Sequence, residues 1–383
     1  MLDISDKIPY ERKNVFFNFI EYEDYIWFWD VIYNALYCCK KGEKITQRIT
    51  PKIDFSIFSL YSKVFLYHSK IICEPRMTDK VLIYDIEKKE IRYVCLEIND
   101  WKCSEWDEGI FWDGIVSGKY LYLIGLCSPY IIKFDMEAEK TERVIKPYQK
   151  TKNYEQMKYY YWKAEISNDI LFVPSYRDNL IFLIDIDKMT YFEKYFVTLK
   201  KGGFSSLYVS GESIWLFSQF DKRIICWNYE TNAIKYYAQY PEKYDLSICP
   251  EIGFIHEIDE KLFLFSLQNN KILILDKKNE KLLFEKKINS YYDELLNGRD
   301  FNGTAYSFVQ RQNRYLYIFL NYSREVLIFS ADNENIYSQS FYVPEVDYKD
   351  FIFYFFQKET FSIEKNNGLK YLLEFMLNRN NLN

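Results

Sequence analysis

The sequence predicts an all-β chain folded as a seven-bladed β-propeller, with four antiparallel strands per blade. Three observations carry this expectation. Side chains suited to a pleated, half-buried surface are abundant, with 37 Tyr and 31 Phe in 383 residues. Short apolar runs recur with a period in the forties to low fifties, a spacing typical of propeller blades. The chain is longer than one ordinary core usually supports, yet no Ser/Gly-rich or Pro-rich stretch reads as an interdomain linker.

Each unit reads as a first strand, a polar turn, a near-continuous apolar second strand, a third strand closed by a polar or small residue, and a more polar fourth strand. The residue closing the third strand serves as a ruler: Cys39, Asp85, Asp135, Asp185, Asn228, Asp276 and Ser330, at spacings of 46, 50, 50, 43, 48 and 54. An Asp or Asn here accepts backbone N–H bonds and starts the turn to the outer strand, so most of these residues are punctuation rather than ligands. The second strands read YIWFW, KVFLYH, YLYLIG, DILFVP, SIWLFS, KLFLFS and YLYIFL. Their continuous apolarity is what strands covered on both faces require. The expected blades span 16–50, 54–98, 110–145, 159–198, 203–241, 252–289 and 303–343, within one domain. An extension over 344–383 follows: a strand or plug at Phe351–Phe356, then a short C-terminal helix with Leu369, Leu372, Leu373 and Met376 on one face.

Composition narrows the function classes. A formal charge of −5 with scattered Lys and Arg argues against nucleic acid as a partner. The start MLDISDKIPYERKN has no apolar signal core. The most apolar stretch, Tyr25 to Cys39, is broken by Asp30 and Asn34 and is shorter than the roughly 20 residues a spanning helix needs. These features predict a cytoplasmic protein without membrane insertion. The eight cysteines form no CxxC pair, and two histidines cannot make a three-histidine metal site. No metal and no cofactor is expected. GxSxG, HExxH, phosphate-cradling and GxGxxG signatures are absent, so no common catalytic motif supports an enzyme.

Candidate site residues come from the first strands, which line a propeller's axis. From VFFNFIEY, DFSIFSLY, FWDGIV, YYWKAEI, FSSLYV, GFIHEI and TAYSFVQ the polar set is Asn18, Ser56, Asp113, Lys163, Ser205, His256 and Tyr306, with Trp112, Tyr160 and Trp162 beside them. The bland reading of such a set is groups bonded to water and to one another. The segment 99–114 adds Trp101 and Trp106 among Asp100, Glu105, Asp107 and Glu108. Flat aromatic faces beside acids suit a sugar or a cation, while packing in the seam between blades is the structural alternative. The ligand-binding candidates are therefore Trp106, Trp112, Asp113, Tyr160, Trp162, Lys163, His256 and Tyr306. The function expected is non-catalytic binding of a small polar ligand, glycan or peptide in the central funnel, or of a protein partner. The alternative is a carbohydrate-active hydrolase or lyase with Asp113 or Glu165 as acid or base, assisted by His256.

In period and strand order, residues 16–343 resemble the kelch-like and PQQ-like propellers. The paired glycines of kelch, the WD dipeptide and the quinoprotein tryptophan pattern are missing, so neither an adaptor role nor a quinone carries over. The low glycine content with abundant Tyr, Phe, Ile and Lys is similar to propellers encoded by AT-rich bacterial genomes.

Overall fold

The computed structural model describes residues 14–50, 59–98, 109–148, 160–196, 202–219, 221, 223–237, 252–266, 271–278, 281–287, 306–320 and 326–351. These form seven four-stranded antiparallel sheets, each with its strands in sequence order, arranged as the blades of a propeller. The first strands are Ile20–Tyr22, Tyr61–Tyr67, Phe111–Ser117, Glu165–Ser167, Phe204–Ser210, Ile252–Ile258 and Tyr306–Gln312.

The repeat is metrically regular where it matters. The second strand begins fifteen residues before the third one ends, and these two positions face each other in every blade: Tyr25 with Lys40, Lys70 with Asp85, Tyr120 with Asp135, Ile170 with Asp185, Ser213 with Asn228, Lys261 with Asp276, and Tyr315 with Ser330. The turn role of the closing residue is visible directly. The Oδ1 atoms of Asp85, Asp135, Asp185, Asn228 and Asp276 each accept N–H bonds from residues two or three positions on.

This metric corrects blade two. The run KVFLYH lies within the first strand, Tyr61–Tyr67, and its hairpin turn; the second strand is Lys70–Pro75. His68 sits in that turn with φ +52°. Lys63 and Glu74 are charged yet buried within these two strands, so hydropathy alone does not mark where the strands lie. In blade one the closing residue is Lys40, one position after Cys39.

Blades are held by apolar faces and by backbone. The residue after the second strand donates its N–H to a carbonyl sixteen positions earlier in four blades, Val31 to Val15, Arg76 to Leu60, Leu126 to Ile110 and Gln219 to Gly203, and in blade four Tyr176, two positions after the strand, donates to Tyr160. Between blades, rings meet at angles typical of aromatic packing, as with Trp29 and Tyr61 at 4.7 Å and Phe196 with Trp227 at 5.4 Å.

The ring closes where the chain leaves blade seven and returns to blade one. The N–H of Asn14 donates to the carbonyl of Phe341, that of Thr46 to Tyr342, and that of Tyr342 to Lys44. Phe341 and Val343 join a core cluster with Phe16, Phe28 and Phe319. A short helix over 345–351 follows. Its Asp347 is buried, accepts the Tyr37 hydroxyl at 3.0 Å and pairs with Arg48 at 3.1 Å. Position 351, expected in a strand or plug, is helical; the helix expected over 369–376 lies outside the described residues, as do 352–356. No helix among the described residues is long and apolar enough to cross a membrane.

Candidate functional site: a lysine–aspartate cluster at the axis

The hairpin joining first and second strands gives a common register. Its last pairs are Tyr22–Tyr25, Tyr67–Lys70, Ser117–Tyr120, Ser167–Ile170, Ser210–Ser213, Ile258–Lys261 and Gln312–Tyr315. Four positions before each pair stand Asn18, Lys63, Asp113, Lys163, Ser206, Phe254 and Phe308. This layer is polar in blades one to five and aromatic in blades six and seven.

Phe308 marks the axis. It packs with core clusters of blades six and seven, of blades seven and one, and of blades one and two. The Lys63 ammonium lies 3.8 Å from its ring centroid and that of Lys163 5.5 Å. A residue of blade seven touching blades one, two, four and six can only reach across the centre.

Beside it is a charged cluster. Lys63 Nζ donates to Asp113 Oδ1 at 2.7 Å, and both side chains are almost wholly buried. Asp113 Oδ2 accepts the Ala164 N–H at 3.0 Å and stands 3.4 Å from Lys163 Nζ. Lys163 Nζ is also 3.6 Å from Glu165 Oε1. Burial alone would raise the Asp113 carboxyl, but the Lys163 and Lys63 ammoniums and the Ala164 N–H outweigh it and hold it below the usual carboxylate range. Burial pushes Glu165 upward despite Lys163.

The cluster opens onto a cavity of about 340 Å³. Asn18, Lys63, Asp113, Lys163 and Gln310 supply its polar lining, and Ile20, Phe65, Leu66, Val116 and Phe308 its apolar wall.

The other polar groups of the axis are ties between neighbouring first strands. Asn18 accepts the Val64 N–H and donates to the Val64 carbonyl. Ser205 donates to the Ile252 carbonyl at 2.7 Å. Gln310 donates to the Phe19 carbonyl and accepts the Phe19 N–H. His256 Nε2 lies 3.0 Å from the Val309 carbonyl. Burial, then the nearby Lys163 charge, pushes His256 down to about 3. The ring is therefore neutral near pH 7, with Nε2 donating to that carbonyl.

The remaining candidates fall elsewhere. Trp112 and Trp162 meet at 5.5 Å, and the row extends to Phe17 and Tyr176, with the Arg76 guanidinium 5.2 Å from Trp112. These rings therefore pack against one another as a row. Tyr160 is buried in the core of blades three and four against Tyr148 and Tyr161. Its backbone position matches Ile110 and Leu60, which explains a core rather than a cavity placement. Trp101, Trp106, Ser56 and the Tyr306 side chain lie outside the described residues.

Sequence reasoning missed Lys63, Ser206, Gln310 and Phe308. The constant fifteen-residue pairing of second and third strands is the signal that finds Lys63, because it fixes the first strand of blade two. It also missed Glu74, which is fully buried and whose Oε2 accepts the Ser62 hydroxyl at 2.8 Å. Burial raises this carboxyl to about 7 against the opposing Lys63 charge.

No family model matches the sequence, and no curated protein matches it. Solved structures do. The extracellular domain of the one-component system BT4673 from B. thetaiotaomicron is 10% identical with a TM-score of 0.53. The match covers 81% of this chain but only 38% of that protein, so this chain spans well under half of its length. A chain of the Mitotic Checkpoint Complex is 12% identical over 87% of this chain and 94% of that one, with a TM-score of 0.53. K. marxianus Hsv2 is 12% identical over 85% and 97%, with a TM-score of 0.52. At such identities the likeness shows the β-propeller fold alone. It does not single out the kelch-like or PQQ-like groups, and the presence of extracellular domains among the similar structures leaves a cytoplasmic setting without support from the fold.

Proposed function

We propose that this propeller is a non-catalytic binding protein that seats a small polar ligand at its axis, over Lys63, Asp113 and Lys163. The observation that supports the reading is a buried cluster of two ammoniums and one carboxylate opening onto a cavity of about 340 Å³. Buried ion clusters are poor stabilisers, since packed apolar residues often replace them without loss. Placed in a concave site, such a cluster is better explained by recognition.

The carbohydrate-active alternative draws less support. A base needs a free lone pair within reach of a substrate proton. Asp113 Oδ1 is taken by Lys63, and Oδ2 by Ala164 with Lys163 close by. His256 Nε2 is engaged with Val309. Glu165 stands 3.6 Å from Lys163 Nζ but is not among the residues that line the cavity, where Asp113 is the one carboxylate among the described residues, and glycoside hydrolysis uses a pair.

Thermal-shift screening of the full chain against sugars, short peptides and small organic acids tests the binding role. A ligand that raises the melting temperature of the parent, and not of Val116→Trp at the cavity wall, is the expected result. Turnover of an oligosaccharide that is lost in Glu165→Gln would overturn it.

A further inference from the structure

Most of the polar groups lining the cavity are already committed. Both ends of the Asn18 amide bond Val64, and both ends of the Gln310 amide bond Phe19. The Asp113 oxygens accept from Lys63 and Ala164, and Lys63 has a short bond to Asp113 with the Phe308 ring against it. Lys163 differs. Its side chain is about nine-tenths buried and lines the cavity, yet its nearest oxygens among the described residues are 3.4 Å and 3.6 Å away. Charge-assisted N–H···O bonds run about 2.7–2.9 Å, so the Lys163 ammonium keeps donor capacity toward the cavity it lines. An acceptor in the cavity would take up that capacity.

Charge and shape limit what the acceptor can be. Two ammoniums share the Asp113 carboxylate, and Glu165 stands 3.6 Å from Lys163. A neutral acceptor would satisfy a bond without the charge assistance that a carboxylate supplies. A bare inorganic anion would make that bond and leave the wall of Ile20, Phe65, Leu66, Val116 and Phe308 wet. Burying that wall is worth about 25 cal/mol per Å² of apolar surface.

We infer that the ligand is a small organic acid whose carboxylate sits on Lys163 and whose apolar body lies along the wall of Ile20, Phe65, Leu66, Val116 and Phe308. This rests on the binding role proposed above and specifies the ligand class for the same site. The carboxylate makes the short charge-assisted bond that Lys163 lacks within the cluster, and the Phe308 ring forms the floor under the chain of the acid.

The test is titration calorimetry of the full chain with octanoate, octan-1-ol, octylamine and inorganic phosphate. Octanoate is expected to bind at least tenfold more tightly than each of the other three. Lys163→Gln should weaken octanoate at least tenfold and leave octan-1-ol unchanged. Val116 is 38% exposed, so Val116→Trp can fill the cavity from its open side without disturbing the buried ions; it should abolish octanoate binding at an unchanged melting temperature. If Lys163→Gln fails to fold, the ratio of acid to alcohol and the Val116→Trp result decide alone. Equal affinity for octanoate and octan-1-ol, or octanoate binding that survives Val116→Trp, overturns the inference. Binding of a sugar or peptide that Val116→Trp blocks, with no binding of octanoate, sinks the acid and keeps the binding role. Absence of any ligand blocked by Val116→Trp sinks both.

Discussion

Replacing Asp113 by Leu removes the carboxylate shared by Lys63 and Lys163 and leaves two ammoniums facing a buried apolar side chain. Breaking a buried ion pair by deleting one partner costs about 3–5 kcal/mol, because the surviving charge is uncompensated. The Ala164 N–H also loses its acceptor, adding roughly 1 kcal/mol or more. An unfolding entropy of about 2.1 cal/mol/K per residue gives ~0.8 kcal/mol/K for 383 residues unfolding together. The melting temperature should then fall by roughly 5–8 °C, read by scanning calorimetry at pH 7. The triple variant Lys63→Met, Asp113→Leu, Lys163→Met should recover most of the loss, since an apolar set of similar volume can replace buried ions without penalty. The pH dependence has a defined sign. The folded-state value of Asp113 lies below the unfolded one, so its contribution is present above the unfolded value and is lost as pH falls through the folded one. The Asp113→Leu deficit should therefore shrink in acid. A single variant within 1 °C of the parent at pH 7, or a triple variant no more stable than the single, would refute this account of the cluster.

Four further outcomes follow from named contacts. Glu74 is raised from 4.5 to about 7, so the fold is favoured while it stays protonated and loses that advantage as pH rises through about 7; Glu74→Gln should raise the melting temperature at pH 8 by more than at pH 5. Gly114→Ala places a Cβ 2.6 Å from the Phe65 ring and 3.2 Å from Glu74 Oε1, and this overpacking should cost about 1–3 kcal/mol in denaturant unfolding. Asp347→Ala leaves the Tyr37 hydroxyl and Arg48 without their shared acceptor at the ring closure, and should cost about 1–3 kcal/mol and speed proteolysis of the segment 341–351. The His256 ring resonances should not titrate between pH 5 and 8, because its folded-state value is about 3.

Architecture was legible because each blade repeats constraints that act within about fifty residues. An apolar second strand must be covered on both faces, and an Asp or Asn must start the outer turn, so period and strand type show in the sequence. Blade two escaped because its constraint is not local. Lys63 and Glu74 are tolerated inside only because Asp113, Ser62 and the Phe308 ring meet them there, and two of those partners stand 50 or more positions away. A charged residue in an apolar run reads as a turn until its partner is known.

The same reason limits how far the site could be read. Asn18, Asp113, Lys163 and His256 were recognisable as axial polar residues, but polarity does not distinguish a tie from a recognition group. Asn18 and Gln310 spend both ends of their amides on a neighbouring strand, and His256 offers Nε2 to Val309. Each replaces a sheet bond that inner strands of different blades do not share. Lys163 occupies the same layer as Asn18 and Asp113, yet its contacts are the long ones. Seven inner strands need ties between them, and a ring that satisfies all its axial groups internally would have nothing left to offer a ligand. The group left with donor capacity, on the wall of a cavity, is where the demands of holding the ring and of binding a ligand separate.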